Sequence, residues 1–170
     1  MARFDKGRFL FGLMLIPVIA LGSTIAHIFN IPAWPAFIIM IFFFLSHMDK
    51  KLIPNMVVGG AFGILLIIPL GILIKTFGES YGIHVVVLCF TLAFVFAIIA
   101  FGEIVPIIFN NYAFLAMLIT GVEMTYVVKV HPFKLVAVEL IGGLMFIYAI
   151  TGIVKILTAI SIRKMSRVKA

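Results

Sequence analysis

A chain of 170 residues that is 65% apolar and 11% charged, with a mean hydropathy of +1.33, has too little polar surface to cover a water-soluble globule. Its apolar stretches are continuous rather than alternating, which excludes a transmembrane barrel and leaves helices that satisfy their own backbone groups inside lipid. The net charge of +7 would raise the question of nucleic acid in a soluble protein, but here the basic residues stand in short flanks beside apolar runs. The partners predicted are therefore the lipid bilayer itself and anionic headgroups at the basic termini, and no nucleic acid.

The first predicted helix covers 9–29, long enough at about 1.5 Å per residue to cross a hydrocarbon core of about 30 Å. Its basic flank and Thr24-Ile25-Ala26 give it some likeness to a signal peptide, but its length and Pro17 favour an uncleaved helix. Pro32 and Pro35 end it, and Trp34 between them reads as an interface anchor. The second segment, 36–48, centred on Phe42-Phe43-Phe44, is short for a full crossing. A third, 55–74, carries Gly59, Gly60 and Gly63. Gly59 and Gly63 form a small-xxx-small pair suited to helix packing, although membrane helices are also rich in glycine for no special reason. Pro69 is expected to kink this helix.

A polar loop from Lys75 to His84 leads to the fourth segment, 85–101, and Gly102 to Pro106 makes a tight turn. The fifth segment is 107–126, the sixth 135–156, and a basic tail follows over 157–170. The fold expected is an all-α polytopic transmembrane bundle of about six helices, one integral membrane domain over 1–170. With the second segment crossing and the N-terminus inside, ten Lys and Arg residues lie inside and three outside. Without that crossing the split is six against seven, so the positive-inside rule favours six spans with both ends in the cytoplasm.

Polar residues within the spans are the candidates for a solute or ion pathway. Glu123 and Glu139 each lie eight residues from His131, so an antiparallel hairpin would hold them at similar depth. Two such acids can share a proton or bind a cation, or can simply reach headgroup water from about one turn inside their helices. Glu103, Asn110 and Asn111 sit together where the fourth segment meets the fifth. Consecutive amides in an apolar helix need partners, and Glu103 also suits a helix N-terminus for electrostatic reasons. His27, His47, His84 and His131 fall near segment ends with no i, i+3 or i+4 pair, and Cys89 is the one cysteine, so no metal site is predicted. No phosphate loop, metalloprotease helix, nucleophile elbow or C-x-x-C motif is present, so neither an enzyme nor a cofactor is expected.

Trp34 and Phe37 at the start of a short second segment, Lys51-Leu52 ahead of a glycine-bearing third, Phe133-Lys134-Leu135-Val136, and Gly143-Leu144 with Phe146 and Tyr148-Ala149 carry a resemblance. Over about 31–157 the chain resembles the bacterial inner-membrane family catalogued as domain of unknown function 1097. Pro35 and Asn110-Asn111 depart from that family's pattern. The resemblance implies a small multi-pass protein of the cell inner membrane with some relation to transport, and it transfers no site residue. The function expected is a protomer of an oligomeric channel or transporter for a small solute or ion; the alternative is a non-enzymatic membrane subunit that captures substrate or assists assembly of a larger complex.

Overall fold

A computed structural model describes residues 6–126 and 130–169, and describes side chains over 6–122 and 130–162. The first helix, α1 (Lys6–Ile28), ends in a Schellman turn. Asn30 takes φ 52, its N–H donates to the His27 carbonyl at 3.1 Å, and the Ile31 N–H donates to that of Ala26 at 3.0 Å. The short α2 (Trp34–Leu45) opens on Pro35 and closes with the same device. His47 takes φ 56, and the Met48 N–H donates to the Phe43 carbonyl at 2.9 Å. Asp49 then accepts from the Lys51 N–H at 2.9 Å and caps one 3-10 turn, Lys50–Leu52.

The next two helices, α3 (Ile53–Leu65) and α4 (Ile67–Tyr81), form one apolar path broken at Leu66. Pro69 explains the break, because it has no N–H for the Leu65 carbonyl and its ring crowds that turn. Residues 75–81, predicted as a polar loop, are instead the last two turns of α4. Their polar side chains are exposed on the helix surface, and the chain reverses only at Gly82, whose φ of 85 suits a residue without Cβ. After α5 (Ile83–Phe101) an irregular connection runs to Asn110, so α6 (Asn111–Tyr126) starts four residues later than the segment predicted at 107. The last helix, α7 (Pro132–Lys169), begins on the proline, which needs no N–H partner there, and continues through the basic tail. The outer loop predicted at 127–134 lies partly outside the described residues.

Four of these segments, Lys6–Ile28, Lys50–Tyr81, Ile83–Phe101 and Pro132–Ile162, are long and apolar enough to cross a membrane, and Trp34–Leu45 and Asn111–Val122 are shorter apolar helices. Large apolar side chains face outward along them, among them Leu13 and Ile16 of α1 and Leu88, Leu92, Phe96 and Ile99 of α5. Surface of that kind is at home in lipid rather than water.

Contacts between side chains give the helix directions. Phe11, early in α1, meets Phe44, late in α2, at 6.1 Å between ring centroids, so these two are antiparallel. Ala36 and Ile39 of α2 meet Gly142 and Gly143 of α7 in the same order, so those run parallel. Gly59 meets Asn110 while Gly63 meets Ala113 and Ala116, so α3 and α6 are also parallel. Phe94 packs on Phe114 and Phe101 on Phe109, which sets α5 against α6. These six apolar segments thus alternate in direction, and α1 begins at the end of the bundle where α7 finishes. The main core lies between α2, α3 and α7, on Ile39, Phe42, Phe43, Met56, Ile147 and Ile150.

Candidate solute or ion site at Glu139

Three glycines of α3 determine what its neighbours can place against it. At Gly63 a Cβ would strike the Ala113 carbonyl, so the α6 backbone itself lies on α3. At Gly59 a Cβ would stand 2.5 Å from Oδ1 and 2.6 Å from Nδ2 of Asn110. At Gly60 it would strike Oε1 of Glu139 and lie 3.4 Å from Cδ1 of Ile39. Gly59 and Gly63 therefore face α6, whereas Gly60, one residue on and about 100° around the helix, faces α7.

Glu139 is 1% exposed, and neither Oε1 nor Oε2 has a hydrogen-bond partner among the described residues. One turn to either side along α7 stand Leu135 and Gly143, both buried. The reading of Glu139 as a rim residue reaching headgroup water fails for two reasons. Because α7 starts at Pro132, the acid lies about 10 Å along the helix rather than one turn inside it. Because position 60 has no side chain, the carboxyl turns inward onto α3 rather than outward.

Among the described residues, Trp34 holds the one further buried polar side-chain atom without a partner, its Nε1, and the ring packs against the cluster of Ile64, Ala116 and Leu135. The residue is half-buried, with its Nε1 edge turned toward the bundle. Thr120 is 0% exposed, but its hydroxyl is satisfied by the Ala116 carbonyl at 2.7 Å. An unpartnered buried acid on α7 is the chemistry that a cation, a proton or a small polar solute could use.

The other predicted residues divide. Asn110 is brought to the level of Glu139, since the two rest on consecutive glycines, but its amide is fully used. Oδ1 accepts from the Ala113 N–H at 2.9 Å as the N-cap of α6, and Nδ2 donates towards the carbonyls of Pro106 at 2.8 Å and of Ile107 and Asn55 at 3.2 Å. Glu103 and Asn111 are exposed on the α5–α6 connection and the first turn of α6, and do not join the site. The side chain of Glu123 lies outside the described residues, so its pairing with Glu139 does too. Sequence reasoning overlooked Gly60 and the inward face of Trp34. The Gly59-Gly60 doublet was a signal for Gly60, since adjacent glycines open two faces of one helix.

Fold and site together define a small all-α bundle of apolar helices, consistent with a multi-pass membrane protein. No protein-family model, no curated protein and no solved structure matches the chain.

Proposed function

We propose that this protein is a protomer of an oligomeric transporter for a small solute or ion in the bacterial inner membrane, with Glu139 as the group that binds the cargo or its coupling ion. The observation that carries this reading is the carboxyl sealed against Gly60 without a partner. An ionisable group inside a membrane segment is costly, and its usual justification is transport of a proton, ion or substrate. A carrier is favoured over an open channel, because Asn110 is spent on capping while Glu103 and Asn111 lie apart from Glu139. Reaching Glu139 then requires α7 to part from α3.

Placement in the inner membrane with both ends cytoplasmic rests on the ten-to-three charge split and the alternating helix directions. Membership in the domain of unknown function 1097 family rests on the quoted residues alone. Homo-oligomerisation belongs to the same reading, since so few helices around a packed centre make a thin wall for a pathway. No enzymatic step, cofactor or metal is part of it. The second reading, a subunit of a larger complex, draws on the α4–α5 hairpin, whose outer side exposes Ile72, Leu88, Leu92 and Phe96. Copurification of a foreign subunit in mild detergent would favour it.

Flux in proteoliposomes across a panel of monovalent cations, protons and small amides tests the proposal. Glu139→Gln is expected to lower the coupled flux by about tenfold or more, equivalent to about 1.4 kcal/mol of differential binding. Asn111→Leu is expected to leave it unchanged. Wild-type flux from Glu139→Gln, or purified oligomers that move nothing in the panel, would overturn it.

A further inference from the structure

A second feature lies on the opposite side of α7. Between α1, the start of α2 and α7 runs an open groove of about 620 Å³, within the range of about 300–1,000 Å³ usual for small-molecule sites. Its walls are apolar and its floor is kept low by small residues, among them Gly22, Ala26, Ala137 and Gly142. One charged side chain lines it, Lys134, at the end where α7 begins. Lys134 is exposed, and no acidic residue stands in the first turn of α7 to neutralise it.

We infer that this groove is a seat for one chain of an anionic lipid whose headgroup pairs with Lys134. Length supports a lipid chain over a compact solute. From Lys134 to Ala149 the groove follows α7 for about 22 Å, more than one leaflet's half of a core about 30 Å thick. Polarity supports it too, because an apolar trough with a single cation at one mouth matches a molecule with one charged end and a long apolar remainder. Lys134 can rest its methylenes on the groove wall while its ammonium stays at headgroup level. Its attraction to an anionic head is worth about a fivefold preference over a zwitterionic one. A second copy of this chain would be a poorer occupant, since a whole helix would leave the lysine facing an apolar surface.

The test uses the full chain in nanodiscs of phosphatidylcholine doped with spin-labelled phosphatidylglycerol or spin-labelled phosphatidylcholine, the label being near the chain terminus. Wild type is expected to immobilise the phosphatidylglycerol label about fivefold more than the phosphatidylcholine label. Lys134→Gln should lower that preference to what the basic termini alone supply while keeping the immobilised fraction, and Ala137→Phe, which fills the groove from an exposed position, should lower the immobilised fraction for both lipids. Inorganic phosphate in millimolar excess should displace neither. Equal immobilisation of the two labels by wild type would overturn the assignment without any variant. So would displacement by phosphate, which would place all the affinity in the headgroup, or cross-linking of Ile25→Cys between two copies across the groove. Because Glu139 lies on the other wall of α7, transport and lipid selectivity can fail independently.

Discussion

Gly60 and Glu139 are two halves of one feature, because the acid occupies the volume that any side chain at 60 would claim. Alanine there would put its Cβ onto Oε1 and 3.4 Å from Cδ1 of Ile39, so either the carboxyl moves or α3 and α7 separate. Overpacking of this sort costs about 1–3 kcal/mol, and Gly60→Ala is expected to lose that much in reversible unfolding in detergent micelles. Glu139→Ala, which removes an unpartnered buried polar group but leaves a void, should by itself change stability little. The double variant should recover most of the Gly60→Ala loss, giving a coupling of about 1–2 kcal/mol in the cycle. Simple additivity would mean that the carboxyl does not sit in the Gly60 seat. The acid was plain in the sequence, since a charge within an apolar run cannot be hidden. Its seat was not, because the pairing of 60 with 139 is a long-range contact that no local spacing encodes. Trp34 is a parallel case: its place between prolines is legible locally, whereas its packing on Ile64, Ala116 and Leu135 is again a long-range contact.

At the scale of elements, Asn110 sets the start of α6. The apolar pattern predicts a fifth segment from 107, straight after the turn at 102–106; Asn110 instead supplies the cap, and 107–110 stay in turns. Asn110→Ala should therefore destabilise the protein by about 1–2 kcal/mol in thermal unfolding, through loss of the cap and of the amide bonds to Asn55 and Pro106. Asn110→Asp keeps an acceptor for the Ala113 N–H but no donors, and should recover only part. An alanine variant as stable as wild type would show that the Gly63 contact with the Ala113 carbonyl, not the cap, fixes α6. Helix existence was legible nearly throughout, from runs of apolar residues too long for strands. Helix ends were less so. Residues 75–81 look like a loop by composition but are helix by geometry, because Lys75, Thr76, Glu79 and Ser80 are all accommodated on an exposed surface, and only Gly82 has a reversing φ.

For the whole molecule, direction and sidedness come from different sources. Packing fixes direction: α2 runs with α7 and α3 with α6, each pair opposed to the other, so the six apolar segments return the chain to its starting end. Charge argues for sidedness, because transfer of Lys and Arg across the membrane is disfavoured and the proposed six-span arrangement would put ten of thirteen on the side of the termini. The two arguments are independent, since neither the glycine contacts nor the aromatic pairs involve a charged group other than Glu139. Their joint consequence can be read by labelling intact cells with an impermeant maleimide, in a Cys89→Ala background that removes the native thiol. Ser80→Cys, beside the Gly82 reversal, is expected to react from outside. Ala2→Cys and Ser166→Cys near the two ends, and Ile104→Cys on the exposed α5–α6 connection, are expected to react only after permeabilisation. Reaction of Ala2→Cys and Ser166→Cys from opposite faces would require an odd number of crossings and break the packing argument. Reaction of Ser80→Cys only after permeabilisation, with Ile104→Cys and both ends inside, would show that the path from α3 through α5 folds back without crossing, which removes two spans and leaves the positive-inside argument to the termini alone.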